Sequence, residues 1–309
     1  MAITAAMVKE LREMTGAGMM DCKKALTETN GDMDAAVEFL RKNGQAKAEK
    51  KAGRIAAEGL VRVAMDGDNT AAIVEVNSET DFVAKNETFQ QYVEAVAAQA
   101  VASDAADMDA FLAETWNADS SKTVKDALVE KIAVIGENLN IRRFQKETQE
   151  NGCIVSYIHG GGRIGVLVKA ETAVVNDAVK EALTNVAMQV AALAPKYVSS
   201  EDVSEEYKEH EKAILLAQAK NENPDKPENI IEKMIIGRLN KELKEVCLME
   251  QAYVKAEDGK QTVAKYLQQV SKEVGADIKI TGFVRFETGE GLEKKSEDFA
   301  AEVAAQMNA

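Results

Sequence analysis

Hydrophobic positions in residues 1–43 recur at helical spacing, and two breaks divide them into three groups. Residues 15–18, Thr-Gly-Ala-Gly, form the first break, and Asn30-Gly31 forms the second. Thr4 can cap the first helix and Asp32 the third. The inward positions are Val8 and Leu11, then Met19, Cys22 and Leu26, then Val37 and Leu40. The pattern predicts a small three-helix bundle with a thin core, which suits a docking module.

Residues 44–58 follow this bundle and are basic within an acidic chain. The positive side chains are Lys47, Lys50, Lys51 and Arg54. We interpret the segment as a solvated linker, and a contact strip for an acidic partner is the alternative.

Alternating apolar positions then predict a first core unit, residues 59–150. Strands at 60–65 and 70–76 form a hairpin, and Asn77–Asn86 leads into an amphipathic helix over 87–102. Helical segments near 107–115 and 121–135 and a strand ending near Phe144 complete the unit.

The same order of elements recurs in residues 151–288. Its parts are strands at 153–159 and 163–170, a helix from Asn176 to about Ala194, and a segment from Val274 that echoes the one from Ile135. The surplus length lies at about 202–248, where two charged helical stretches flank a turn with two prolines. This predicts an inserted helical hairpin arm.

The predicted fold class is therefore α+β: an N-terminal helical bundle and a duplicated core of antiparallel three-stranded sheets with packed helices. Residues 289–309 are predicted to form a C-terminal helical module, with Ser296 capping a helix over 297–306. Two similar units side by side offer a broad surface, which suits the binding of another protein.

Charge and cysteine content narrow the function. The 309 residues carry a net charge of -14, which argues against a general nucleic-acid or anionic-membrane surface. Three widely spaced cysteines favour reduced thiols in a cytoplasm over disulfides or zinc. The charged N-terminal stretch does not resemble a signal peptide, and no apolar run approaches the roughly 18 residues of a membrane span.

The sequence contains no clear combination of catalytic residues. Gly160, Gly162 and Gly165 satisfy G-x-G-x-x-G, but a strand rather than a helix follows them, which favours a hairpin turn over a nucleotide loop. His159 lacks a nucleophile partner, and His210 lies among arm carboxylates on a solvated helix face. No catalytic residues, metal site or cofactor are predicted, and the chain is not expected to be an enzyme.

Several side chains instead indicate a binding surface. Phe82 lies in a strand-to-helix corner, where it either tucks inward or is offered to a partner. Met20 is expected to be a contact, whereas core and contact interpretations of Met19 stay open. Met188 and Gln189 are adjacent and cannot both face the sheet, so Gln189 is expected to be exposed.

Five motifs together resemble the bacterial elongation factor Ts family across essentially the whole chain. They are VKELREMTGAGMMDCKKAL at 8–26, TDFVAKN at 80–86, HGGGRIGVLV at 159–168, TGFVRFETGEGLEK at 281–294 and DFAAEVAAQ at 298–306. The resemblance implies a guanine-nucleotide exchange factor for elongation factor Tu that binds no nucleotide itself. It also implies that the bundle is ubiquitin-associated-like and docks on the partner's nucleotide-binding domain, and that GDP, GTP and magnesium are bound by the partner.

The resemblance further implies site residues. Thr80, Asp81, Phe82 and Val83 would enter the partner beside its nucleotide and disturb its magnesium and phosphate loop. The other implied partner contacts are Arg12, Met19, Met20, Lys23, Lys51, Ile164, Gly165 and Gln189. Gln189 stands where some relatives have His, so a role that needs an imidazole does not carry over. Dimerisation or a two-to-two assembly with the partner stays open.

Two other hypotheses compete with exchange. A non-exchanging helical adaptor would bind the partner without changing nucleotide release. A nucleotide-using enzyme built on Gly160–Gly165 would bind GTP or NAD directly, and the missing phosphate loop weighs against it.

Overall fold

The computed structural model describes residues 2–224 and 226–294. The first three helices are α1 (Ala5–Thr15), α2 (Met19–Glu28) and α3 (Met33–Lys51), and they form the expected bundle. Thr4 and Asp32 cap α1 and α3 as predicted, by accepting hydrogen bonds from the backbone N–H groups of Met7 and Ala35. The bundle core is small and holds Val8, Leu11, Cys22, Ala25, Leu26 and Ala36.

The predicted linker is wrong in its first half, because α3 continues through residues 44–51. At Gly44 this extension packs against the first core unit, where even a Cβ would make ordinary van der Waals contact, 3.5 Å from Ala133. Lys47 is not a free linker charge, since its Nζ lies 2.9 Å from the carboxylate of Asp21 on α2. The bundle is therefore joined to the core by the extended α3, and the shorter segment 52–57 then leads into the first strand.

The first core unit contains β1 (Glu58–Asp66), β2 (Thr70–Ser78) and β3 (Asn140–Thr148), paired antiparallel in the order β1-β2-β3. Its helices are α4 (Asp81–Ala84), α5 (Glu87–Ala102), α6 (Met108–Ala113) and α7 (Val124–Ile135). Phe89, Val93 and Val96 of α5 pack with Val74 and Val76 of β2 in the unit's core.

The second unit contains β4 (Gly152–His159), β5 (Ile164–Glu171) and β6 (Lys279–Glu287), again antiparallel in the order β4-β5-β6. Its helices α8 (Asp177–Leu193) and α11 (Val263–Val274) bury Val186, Val190 and Leu267 against the sheet. The α+β duplicated core predicted from the sequence is confirmed.

The duplication extends to the backbone. Gly59 and Gly152 open the first strand of each unit with φ of +126° and +133°. A Cβ at either would lie about 2 Å from a carbonyl oxygen, that of Val76 or Ala170, where each middle strand has a bulge. Only glycine fits where the backbones of two neighbouring strands approach each other this closely.

The two sheets pack face to face, so that the helices lie on the outer faces of the pair. The contact layer consists of Val61, Ala71, Ile73, Ile154, Leu167, Val284 and Phe286. Backbone hydrogen bonds also join the units: Val61 donates to Gly162 at 2.7 Å, and Ile154 donates to Asp68 at 2.7 Å.

A buried carboxylate joins the end of the second unit to the middle strand of the first. Glu75 on β2 is fully buried and accepts hydrogen bonds from Arg143 Nε at 2.6 Å, Arg142 Nη1 at 3.1 Å and the Gly289 backbone at 2.8 Å. Arg143 also stacks on the ring of Phe286, with its guanidinium carbon 4.1 Å from the ring centre. This cluster holds the chain after β6 against the first sheet.

The inserted arm consists of α9 (Glu205–Glu222) and α10 (Glu228–Val246). Tyr207 reaches Glu242 near the base, and Glu222 pairs with Arg238 near the tip, so the two helices run antiparallel as predicted. A short 3-10 turn, Leu248–Glu250, returns the chain to the core. In the part of the chain that is described, no helix combines the length and apolarity needed to cross a bilayer. The predicted helix over 297–306 lies outside the described residues.

Candidate functional site

The corner between β2 and α5 offers Phe82 to solvent. Asp81–Ala84 forms a single helical turn, α4, whose start is capped by the side chain of Thr80. Phe82 is 79% exposed, although the same unit buries Phe89 and Phe111 completely. The core interpretation of Phe82 is therefore wrong. Val83 supports the turn from below, since it packs against the core of the first unit.

Asp81 presents a negative charge beside this ring. A hydrogen bond from Lys85, with Nζ 2.6 Å from the carboxylate, lowers the pKa of Asp81 below its usual range. The same ammonium lies 5.9 Å from the centre of the Phe82 ring. The turn thus offers an ionised carboxylate and an apolar ring side by side at neutral pH.

Backbone polar groups at the base of the turn are satisfied by one carboxylate. Glu137, between α7 and β3, accepts hydrogen bonds from the N–H groups of Glu79 and Thr80 at 3.0 Å each and from the Thr80 hydroxyl at 2.7 Å. In return, Glu79 accepts a hydrogen bond from the Asn138 N–H at 2.6 Å and pairs with Arg54 at 3.4 Å. The sequence alone did not assign Glu137 a role. One signal was present: the echoing segment of the second unit has Ala276 where the first has Glu137.

The bundle residues implied by the resemblance are accessible. Arg12, Met19, Met20 and Lys23 are all exposed on α1 and α2. Met20 is 75% exposed and Met19 is 48% exposed, so the core interpretation of Met19 is wrong. Flexible, polarizable methionine side chains on a surface adapt well to a binding partner.

Lys51 lies near the base of the Phe82 turn rather than in a free linker. It is half-buried at the end of α3. Burial and the neighbouring charge of Arg54 lower the pKa of Lys51, while Glu79 and Glu137 oppose that shift. The structure therefore brings Lys51 together with the segment that carries Phe82.

The turn of the second hairpin is not a nucleotide loop. Gly160, Gly161 and Gly162 all have positive φ and form a tight turn, and Ile164 then begins β5 as the sequence predicts. Gly165 is buried between the sheets, where a Cβ would lie only 2.4 Å from Val61 Cγ1. This burial gives Gly165 a packing role, whereas Ile164 is partly accessible.

The expected exposure of Gln189 is wrong, because its side chain is fully buried on α8. Its amide nitrogen donates to the Gln251 side chain at 3.1 Å and to the Ala252 carbonyl at 3.0 Å, and its oxygen accepts from the Val254 N–H at 2.8 Å. Burial leaves it no accessible surface for a partner. Adjacent Met188 is partly exposed instead.

Gln189 has a twin in the first unit. Gln99 on α5 donates to Glu114 at 3.0 Å and to the Thr115 carbonyl at 3.2 Å, and it accepts from the Asn117 N–H at 2.8 Å. The two glutamines hold matching loops against matching helices. Their role is thus part of the duplicated scaffold.

The two histidines are the remaining chemical candidates from the sequence. His159 lies 3.0 Å from the hydroxyl of Tyr157, and His210 is exposed on the arm. Within residues 2–224 and 226–294, no group of three or more His, Cys, Asp or Glu side chains is placed to hold a metal ion.

A duplicated α+β scaffold that presents an ionised acid and an exposed ring on one turn is typical of a protein that acts by binding another macromolecule. Comparisons with known proteins identify the family. A family model described as "Elongation factor TS" matches residues 79–290. The chain belongs to the elongation factor Ts family.

Curated relatives match over nearly the whole chain. The elongation factor Ts of Clostridium novyi (strain NT) is 55% identical over 307 residues, which cover 99% of each chain. Those of Clostridioides difficile (strain 630) and Clostridium tetani (strain Massachusetts / E88) are 55% and 54% identical, again with 99% of each chain covered. The resemblance predicted from the motifs is confirmed.

Proposed function

We propose that this protein promotes GDP release from elongation factor Tu by inserting Asp81 and Phe82 beside the partner's nucleotide site. Membership of the family carries the exchange role itself: the chain is a guanine-nucleotide exchange factor in translation elongation. The observation that supports this insertion is the outward position of Phe82 on a turn that is held by hydrogen bonds at its base. The alternative of a non-exchanging adaptor is not favoured.

The chemistry of the turn suits this insertion. Phe82 is a rigid apolar side chain with little conformational entropy to lose, and such side chains often dominate binding energy. Asp81 brings a negative charge towards a site where magnesium is the largest positive charge, so it competes with the magnesium's existing ligands. A protein that binds nucleotide-free elongation factor Tu more tightly than the nucleotide-bound form must, by linkage, weaken nucleotide binding to the same extent.

The other parts of the surface support a second contact. Arg12, Met19, Met20 and Lys23 are exposed on the bundle, and we propose that these side chains dock on the partner's nucleotide-binding domain. We propose that the bundle resembles the ubiquitin-associated fold, and that Lys51 and Ile164 touch the partner near the core.

The proposed reaction involves no bond breaking by this chain. GDP, GTP and magnesium are bound by the partner, and the chain needs no cofactor of its own. The three cysteines are free and buried, which fits a reducing cytoplasm. No direct contact with nucleic acid or membrane is proposed. A dimer or a two-to-two assembly with the partner is compatible with the broad two-unit surface.

The test is stopped-flow release of fluorescent GDP from elongation factor Tu, with the native chain and Phe82→Ala. The variant should release GDP at least about tenfold more slowly, the rate equivalent of about 1.4 kcal/mol, while it still binds the nucleotide-free partner. Met65→Ala is the matched control, because Met65 is also an exposed apolar side chain of the first unit. Equal rates of GDP release with Phe82→Ala and with the native chain would show that Phe82 is not the inserted side chain. If the native chain does not accelerate GDP release, the non-exchanging adaptor becomes the better hypothesis.

A further inference from the structure

We infer that Glu137 is a positioning residue for exchange: its carboxylate holds the turn that presents Asp81 and Phe82. The inference rests on the proposed function for its activity readout. It concerns a residue that lies away from the presented face and acts through the turn. Three hydrogen bonds to the Glu137 carboxylate support the inference, and their donors are the Glu79 N–H, the Thr80 N–H and the Thr80 hydroxyl.

These contacts satisfy the part of the turn that lies outside regular structure. β2 ends at Ser78 and α4 begins at Asp81, so Glu79 and Thr80 form the bend between them. Unpaired backbone N–H groups at a partly buried bend would favour other conformations. One carboxylate fixes both N–H groups and also orients the Thr80 hydroxyl, which caps α4 through the Val83 N–H.

The anchor is itself well held. Glu137 directly follows Gly136, which ends α7 in the left-handed conformation with φ of +88°. The next residue, Asn138, donates its N–H to Glu79 at 2.6 Å and its side-chain amide to the Arg54 carbonyl at 2.8 Å. The two connections, 79–80 and 137–138, therefore lock each other and the chain that leaves α3.

The second core unit serves as an internal comparison. Gly275 ends α11 as Gly136 ends α7, but Ala276 follows it where Glu137 follows Gly136. The corresponding strand-to-helix connection is shorter, with residues 172–176 between β5 and α8 against 79–86 between β2 and α5. Within these described residues, 172–176 contain no helical turn like α4. The presented turn and its carboxylate anchor thus occur together in one copy and are both missing from the other.

Positioning matters because an exposed Phe on a loose segment has two disadvantages. The ring can fold back onto its own unit, where Val83 and neighbouring side chains already offer apolar contact. A loose turn must also lose conformational freedom when it enters the partner, which weakens binding and slows insertion. A turn held in place before contact avoids both costs.

The test compares Glu137→Ala and Glu137→Gln with the native chain. We expect Glu137→Ala to slow GDP release from elongation factor Tu about tenfold, the scale of losing one or two net hydrogen bonds. Glu137→Gln should be intermediate, because its amide oxygen can still accept from both N–H groups. Asp277→Ala is the matched control: Asp277 is exposed at the equivalent connection of the second unit, and its loss should leave release unchanged.

A combined variant separates positioning from general damage. If Glu137 acts through Asp81 and Phe82, adding Glu137→Ala to a chain that already carries Asp81→Ala and Phe82→Ala should slow release little further, since coupled residues are not additive. A full tenfold additional loss in that background would overturn the inference and assign Glu137 a merely structural role. Native rates for Glu137→Ala would overturn it as well.

Hydrogen exchange provides a readout that needs no partner. The amides of Glu79 and Thr80 should exchange at least about tenfold faster in Glu137→Ala than in the native chain, because each loses its acceptor. Unchanged exchange in a peptide covering 77–86 would refute the anchor. If the native chain fails to accelerate GDP release, the proposed function fails, whereas this exchange measurement still tests the anchor alone.

Discussion

Replacing Glu75 with Gln should weaken the joint between the two core units. The substitution keeps the shape of the side chain but removes its charge from a fully buried position. Arg142 and Arg143 would keep their positive charges with no carboxylate between them. Breaking a buried ion pair by removing one partner costs about 3–5 kcal/mol. Both guanidinium groups are partly exposed and can gain water, so we expect a loss of about 3 kcal/mol in the free energy of unfolding.

Glu290→Gln is the matched control. Glu290 pairs with the same Arg143 at 3.2 Å, but its carboxylate is half-exposed. Exposed pairs contribute about 0–1 kcal/mol, so this variant should stay close to the native stability. The assay is urea unfolding at pH 7, followed by far-UV circular dichroism and by fluorescence of Trp116, the single tryptophan. Equal losses in the two variants would refute the reasoning.

The pH dependence gives a second check on the same residue. Burial alone would raise the pKa of Glu75, but the Gly289 N–H, the Asn77 amide and Arg143 together lower it below its ordinary value of 4.5. The folded state therefore binds this proton less well than the unfolded state does. Its stabilisation is fully present above pH 4.5 and is lost as the pH falls through the lowered folded pKa. The difference in the free energy of unfolding between the native chain and Glu75→Gln should therefore narrow over that acidic range. A difference that does not change with pH would contradict the lowered pKa of Glu75.

Two further substitutions test packing roles. Gln189→Leu removes the buried hydrogen bond to the Gln251 side chain and strands the partly buried Val254 N–H, so it should lower the free energy of unfolding by about 1–3 kcal/mol. The same change at exposed Gln91 should have little effect, and a loss of partner affinity without a loss of stability in Gln189→Leu would restore its contact role. Gly165→Ala forces a methyl group against Val61 and should cost about 1–3 kcal/mol in thermal unfolding. Gly237→Ala, in open space within α10, should instead be neutral or stabilising.

Local signals predicted the scaffold well. The hairpins, the caps at Thr4 and Asp32, and the antiparallel arm each depend on residues close together in the chain. Periodicity and capping are local properties, so a single sequence carries them. The mistaken linker shows the limit: Gly44 weakens the local helical pattern, yet α3 continues through it and packs there against Val129 and Ala133 of α7.

The site was predicted less completely, and for a physical reason. Family resemblance directed attention to Phe82, whereas its exposure depends on how the turn is held. The acceptor that holds the turn, Glu137, is 57 residues from Thr80. Gln189 finds its partners at least 62 residues away, and adjacency to Met188 could not reveal them. Pairings across such distances depend on how the folded chain brings the segments together, and the local pattern of the sequence does not carry that information.

The contact between Glu75 and Gly289 also orders events during synthesis. The two residues are 214 positions apart in the chain. At roughly 5–20 residues per second, a ribosome needs roughly 10 to 40 seconds to travel between them. During that interval the nascent first sheet has neither its buried backbone donor nor the apolar cover that β6 supplies. This joint therefore closes only after the segment that follows β6 has been synthesised, and a product terminated before Gly289 lacks this hydrogen bond between the two units.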